Sequence, residues 1–338
     1  MKQLIRAFLF IAATATILLV SDLNNRVGKR EASEIKRVAI FKFNSNLILG
    51  ETEKGLLYEL TTSELHENQL VEITRYCPQG DMPTANTTAM EIVNKRYDLV
   101  ISISTPGLQV MANANKAGTV THVFCAVTDP FVSGVGVDGP GKDEHPPYMA
   151  GIGTFQPVEK AFMTIREMNP RIKKIGVVWC TSETCSEACV RKARIICDEL
   201  GLELVEAGIE TASQVSEAAI SLAARGVEAL WLGGDNTVES ALDMYVHVGL
   251  EAGIPVFTNN PDNAFRQATF GIGANYFQVG KMAGQMCNEI LNGKPSSEFE
   301  TNNIVPELLY INTSVLDKLK DRWVITDDLR TRVDSLVR

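Results

Sequence analysis

The sequence predicts an α/β protein of two lobes, each built on a parallel sheet, with a small-molecule cleft between them. Three observations predict this. Four β-like runs end in short polar clusters: DLVISIS into Thr105-Pro106, HVFCAV into Thr128-Asp129-Pro130, ALWLGG into Asp235-Asn236, and IPVF into Thr258-Asn259-Asn260. In a parallel sheet the carboxyl ends of the strands form the ligand edge, and two of these four clusters fall in each half of the chain. Strand-like and helix-like segments also alternate in two successive series. Finally, of the 338 residues, about 300 remain once the N-terminal segment is set aside, more than one core usually serves. The formal net charge of −9, with Lys and Arg scattered rather than striped, argues against nucleic-acid binding, which needs a clustered basic face.

The N-terminus reads as an address. Lys2 and Arg6 precede the uncharged run AFLFIAATATILLV, residues 7–20, and a polar stretch follows. That run is short for a bilayer span of about 20 residues, so residues 1–35 are expected to be a signal peptide, or an N-terminal membrane anchor with linker. No good small-x-small cleavage site follows residue 20, which leaves both outcomes open. Either delivers the chain to the periplasm or another extracytoplasmic place.

From Lys36 the elements follow in order. RVAIFKF alternates as a strand, and GETEKGLLYELTTSEL places Leu56, Leu57 and Leu60 on one helical face. VEITRY, TTAMEIVNKR, DLVISIS, PGLQVMANANK and THVFCAV continue the alternation. The Pro/Gly-rich stretch 134–147 reads as a loop. The second series runs KKIGVVW, EACVRKARIICDEL, LELVEA, SQVSEAAISLAAR, ALWLGG, VESALDMYVHVGLEA and IPVF. A last long helix, YFQVGKMAGQMCNEIL, stops at Asn292-Gly293.

The strand tips supply candidate ligand groups. Thr105 suits a helix N-cap and Pro106 the first helical position, so the free N–H groups of that turn could receive a carboxylate. Asn236 with Glu239 resembles a capping box, which leaves Asp235 available to a ligand ammonium through a charge-assisted hydrogen bond. Thr128 and Asp129 stand at another tip, although Asp before Pro is also ordinary turn chemistry. Asn46, in Asn44-Ser45-Asn46 after the first strand, and Asn259 could line the cleft.

The strings DLVISISTPGLQVM, THVFCAVTDPFVSGVGV, IKKIGVVWCTSETCSEA, ALWLGGDNTVESAL and GIPVFTNN, in that order, resemble the ABC-transporter substrate-binding family whose characterised members bind tryptophan and other aromatic amino acids. The likeness runs from about Arg37 to about Leu319. It implies a type I periplasmic-binding-protein architecture: two Rossmann-like lobes, three crossovers, ligand in the hinge cleft and no catalysis. Lobe 1 is then expected at 36–153 and 275–298, and lobe 2 at 154–274 and 299–330. The resemblance also brings Ser182 and Cys185 into the ligand set, with Cys185 standing where the family usually has Asn. A thiol is a poor substitute for an amide, which puts the family's ligand in doubt here.

Other chemistry finds little support. Residues 134–139 match a dinucleotide fingerprint but run into prolines rather than a helix. Seven cysteines in an exported chain leave at least one thiol free. Cys180, Cys185 and Cys189 are expected to be free or singly bridged, since the four histidines are scattered and offer no nearby fourth ligand for zinc. The sequence therefore calls for no cofactor, no metal and no enzyme. It predicts a monomeric solute-binding protein of an ABC importer, handing an amino-acid-like ligand to a permease and its ATPase. The alternative is a membrane-anchored sensor reporting to a signalling partner.

Overall fold

The computed structural model describes residues 35–62 and 71–338; the expected signal or anchor in residues 1–34 lies outside the described residues. The first series gives β1 (Lys36–Lys42), α1 (Leu47–Thr62), β2 (Val71–Tyr76), α2 (Met82–Asn94), β3 (Leu99–Ile103), α3 (Thr105–Ala114), β4 (Thr121–Val127) and β5 (Met149–Gly153). The second gives α4 (Val158–Met168), β6 (Lys174–Cys180), α5 (Thr184–Leu200), β7 (Glu203–Ile209), α6 (Val215–Ala224), β8 (Ala229–Leu232), α7 (Asn236–Ser240), α8 (Leu242–Ala252), β9 (Val256–Thr258) and β10 (Phe270–Ala274). Then come α9 (Tyr276–Leu291), β11 (Asn302–Asn303), β12 (Glu307–Asn312), α10 (Thr313–Leu316), α11 (Asp327–Arg332) and β13 (Ser335–Val337).

The strands form two sheets, ordered β11-β5-β4-β3-β1-β2 and β13-β12-β10-β9-β8-β6-β7. Every pairing in the first is parallel. In the second only β12 runs against its neighbour, β10. Central strands such as β3 are buried on both faces, which is why they read as continuous apolar runs rather than alternating ones. In the second lobe, Phe162, Trp231, Phe257 and Phe270 form a chain of ring contacts at 5.0, 5.5 and 5.4 Å that fills one face of the sheet.

The chain passes between the sheets three times: at residues 154–157, at Asn275, and at residues 304–306. The helix α9 returns to the first lobe and lies against α1 so closely that glycine is required. A Cβ on Gly55 would stand 1.9 Å from the Phe277 carbonyl oxygen, and one on Gly280 2.0 Å from that of Thr52. The last crossing falls later than position 298, because Asn302 and Asn303 still pair with Ile152 and Gly153 of β5. The second sheet likewise extends past 330, to β13.

The sequence pattern reveals neither β5 nor α4. The strand β5 is MAGIG, with little side chain to show periodicity, and Gly151 is small because the Phe124 ring would lie 2.4 Å from its Cβ.

Candidate functional site

The carboxyl ends of both sheets face each other across the cleft. From the first lobe come the tips of β3 and β4. Ser104, not Thr105, caps α3: its Oγ accepts from Gly107 N at 3.1 Å, and its φ is +99°. Ala126, on the adjacent tip, also has a left-handed φ of +52°. Two non-glycine residues held there side by side mark strained backbone, which persists only where the surroundings impose it. Relieved of capping, the buried Thr105 hydroxyl accepts from Thr128 N at 3.2 Å and ties the two tips together. Pro106 sits in the first turn of α3, as expected.

The second lobe contributes Asp235, and its arrangement corrects the capping-box expectation. Asp235 is itself the cap of α7, accepting from Val238 N at 2.8 Å. Its other oxygen accepts from Cys180 N and Ser186 Oγ, each at 2.6 Å. Glu239 turns inward instead of back to Asn236, and accepts from Asn260 Nδ2 and Asn263 Nδ2 at 2.9 and 3.0 Å. Beside Asp235, the buried Glu183 receives the N–H groups of Asn236 and Thr237 at 3.0 and 2.9 Å and the Thr237 hydroxyl at 2.6 Å. Burial first, and the Glu183 charge second, push Asp235 up to about 7 despite its donors.

Thr105, Ala126 and Thr128 of the first lobe and Gly234, Asp235 and Asn236 of the second enclose an inner cavity of about 20 Å³. Gln156 and Tyr276, each on a crossing segment, complete its wall and bond to each other at 3.3 Å. Gln156 Oε1 also accepts from Cys189 Sγ at 3.3 Å. One hydrogen bond bridges the cleft directly, Asn46 Nδ2 to Asn236 Oδ1 at 3.4 Å, while Asn46 Oδ1 caps α1 through Leu49 N at 2.9 Å. Beyond that bridge lies an outer chamber of about 350 Å³, reached by Asn46 from one side and Thr237 from the other.

Of the residues singled out from sequence, Asn46, Thr105, Thr128, Asp235 and Asn236 thus meet at the cleft. The others bond elsewhere. Asp129 caps its own turn through Phe131 N at 3.1 Å, and Asn259 is held between Trp231 Nε1 and the Ile272 carbonyl at 3.0 and 3.1 Å. Ser182 is exposed, with its hydroxyl 3.2 Å from Cys180 Sγ. Cys185 is buried behind the site and donates to Glu183 Oε2 at 3.2 Å. All seven cysteines are free, and among the described residues no His, Cys, Asp and Glu group has a metal-holding arrangement. Burial raises Cys185 well above the usual thiol range and Cys189 to about 12, so both stay protonated.

Sequence reasoning missed Ser104, Ala126, Gln156, Glu183 and Tyr276 as site residues. Gln156 and Tyr276 had a signal in their position, at the points where the chain changes lobe. Ala126 had none, since an alanine in an apolar strand announces nothing about its φ.

A two-lobed α/β protein with polar strand ends converging on an interlobe cleft is the architecture of a binding protein. The family model for ABC transporter substrate binding proteins matches residues 37–329, and the chain belongs to that family. Such proteins work outside the cytoplasm. The chain is 26% identical over 312 residues to a "Tyrosine-binding protein" of Clostridioides difficile, covering 92% of this chain and 88% of the relative. Its fold matches the ABC domain from Streptococcus pneumonia in complex with L-Trp at a TM-score of 0.82 and 20% identity, covering 90% of this chain and 100% of the other. It matches the ligand-free, open structure of a substrate binding protein with adhesive properties from Clostridium difficile at 0.63 and 25% identity, covering 90% and 99%.

Proposed function

We propose that this chain is the extracytoplasmic solute-binding protein of an ABC importer, exported by the segment 1–35, and that as a monomer it captures a small amino-acid-like ligand of the aromatic class by hinge closure. The observation that carries the reading is the convergence of Thr105 and Thr128 from one lobe with Asp235 and Asn236 from the other on a single cavity. A ligand carboxylate fits the first side, where Thr105 opens α3. Its ammonium fits the second, because Asp235 has N–H and O–H partners but no cation, and its anionic form is short of a counter-charge.

Closure is supported by size. A cavity of about 20 Å³ holds one water, so an amino-acid head group enters only when the lobes stand farther apart. The better superposition on the tryptophan complex than on the open ligand-free protein, at lower identity, fits a hinge whose lobes sit near the closed end of their range. The relatives that carry tyrosine and tryptophan support the aromatic class. In this reading the ligand is released unchanged to a permease and its ATPase.

Calorimetric titration with L-tyrosine and L-tryptophan tests this reading. One-to-one binding is expected, with about one proton released near pH 6 and fewer above pH 8, since an ammonium beside Asp235 favours its anion. Asn46→Ser keeps the α1 cap and loses the bridge, and should weaken binding about three- to tenfold, the effect of one ordinary hydrogen bond. Turnover of the amino acid, or binding of neither, would reject the proposal.

A further inference from the structure

The outer chamber is unlike the inner cavity, and its chemistry points to a specificity that the zwitterion site cannot supply. It is large enough for a side chain, about 350 Å³ against about 20 Å³, and it lies beyond the Asn46–Asn236 bridge from Asp235. Its first-lobe wall is fixed backbone. Gln79 and Gly80 hold successive left-handed φ values of +56° and +80°, and Gly80 N donates to the Phe43 carbonyl at 2.9 Å. Gln79 Oε1 accepts from Ser45 Oγ at 2.8 Å, and Asn44 Oδ1 accepts from Asn46 N at 3.1 Å. Each amide therefore has its oxygen occupied and its NH2 group left over, and Asn44 is only 8% exposed. Across the chamber stands Glu210, one carboxylate oxygen taken by the Thr181 hydroxyl and the other available.

We propose that this chamber receives the far end of the ligand and selects a side chain ending in an uncharged hydrogen-bonding group, a hydroxyl or a carboxamide, over a hydrocarbon end of similar size. The inference rests on the binding-protein reading above. Two leftover N–H donors on one wall and a carboxylate acceptor on the other match a group that both accepts and donates. A terminal carboxylate is disfavoured, because Glu210 is the only charged side chain lining the chamber among the described residues and is itself negative. A hydrocarbon end would strip water from these polar groups and return nothing, the asymmetry that lets polar sites reject apolar analogues.

Two matched pairs test it, L-tyrosine against L-phenylalanine and L-glutamine against L-methionine, by calorimetry on the full exported chain. The polar member of a pair that binds should be tighter by about tenfold, less than a sealed site gives because the chamber is open to solvent. Gln79→Gly suits the left-handed backbone and removes the donor, and Glu210→Gln removes the carboxylate. Each should reduce the ratio about threefold while the apolar member's affinity changes less than twofold. Thermal denaturation without amino acid checks that both variants are folded. Equal affinities within the pairs, or a ratio that survives both substitutions, would overturn the chamber's role while leaving the cleft as a binding site. Failure of all four amino acids to bind would overturn this inference, and with L-tryptophan also unbound it would remove the amino-acid-binding reading as well.

Discussion

The two lobes repeat one alternation of strand and helix, yet each treats a buried carboxylate differently. In the first, Glu53 of α1 is 4% exposed and receives two cations, Lys42 Nζ at 2.5 Å and Arg75 Nε at 2.7 Å. Burial alone would raise it, but the hydrogen bonds and charges of Arg75 and Lys42 outweigh burial and hold it below the usual range. In the second, Asp235 and Glu183 are also buried and receive only N–H, O–H and S–H donors, so burial and mutual repulsion raise Asp235. The difference teaches that the first-lobe carboxylate is compensated by cations of its own lobe, whereas the second lobe holds a carboxylate pair with no cation, and Asp235, the member that lines the cleft, is driven towards its protonated form. Under the function proposed above, a cationic ligand group would supply what the second lobe lacks, while the first lobe needs none.

The largest expected effect breaks the neutralised side. Glu53→Ala leaves Lys42, whose side chain is 12% exposed, without its partner, and should lower stability by about 3–5 kcal/mol in chemical denaturation. A loss under about 1 kcal/mol would mean the triad is effectively solvated and the contrast between the lobes is illusory. Glu183→Gln acts on the other side. One amide oxygen replaces two carboxylate oxygens, and an NH2 group is turned towards the donors of Asn236 or Thr237. The cost should be about 2–3 kcal/mol, with weaker amino-acid binding because α7 loses its anchor. Urea titration with calorimetry separates the two effects.

The pH response sharpens the same comparison. Asp235 has a folded pKa near 7 against an ordinary 3.8, so the folded state binds more protons between these values. Its contribution to stability is fully present below about pH 4 and is lost as pH rises through 7, with a slope of at most about 1.4 kcal/mol per pH unit. Glu53 has the opposite sign. Its folded pKa is lowered, so its contribution is present above the ordinary 4.5 and is lost as pH falls. Hydrogen exchange, corrected for intrinsic rates, should show β6, β8 and α7 better protected at pH 5 than at pH 7.5. Strands β1 and β2 should lose protection only under more acid conditions. Asp235→Asn should flatten the second-lobe profile; an unchanged profile would remove Asp235 as its source.

That there are two sheets, and most of the alternation of strand and helix that builds them, was legible because parallel strands must be apolar on both faces and their ends polar, whereas the order of strands within each sheet was not. The convergence of Thr105, Thr128, Asp235 and Asn236 was legible for the same reason. What each polar group does there was not. Asp235 and Thr105 exchanged the roles expected of them: the aspartate caps its helix, and the threonine is relieved of capping by Ser104. A cap and a ligand contact call on the same residue types at the same strand ends, and only three-dimensional partners tell them apart. Glu183 was invisible because its five donors lie on Cys185, Asn236 and Thr237, four of them more than 50 residues away. Asn259 was misread because its partner is the indole of Trp231, buried in the apolar core.

The smallest expected effect concerns the strain stored on the first lobe. Ala126 at φ +52° sits between β4 residues whose register to β5 is broken there, from Phe124 opposite Gly151 to Val127 opposite Gly153. Left-handed backbone costs a non-glycine residue about 1–3 kcal/mol, while glycine gives back about 0.5–1 kcal/mol in unfolded-state entropy. Ala126→Gly should therefore stabilise the protein by about 0–2.5 kcal/mol, with the lower half of that range expected because Ala126 is already accommodated, seen as a modest rise in Tm. If the strained tip exists to hold the Thr105–Thr128 contact in place for a ligand carboxylate, the same variant should bind tyrosine or tryptophan a few-fold more weakly despite its greater stability. A gain in stability with unchanged affinity would mean the twist at Ala126 only ends the strand. A loss of stability would mean the methyl group, packed against the first-lobe core, matters more than the backbone angle it is forced to adopt.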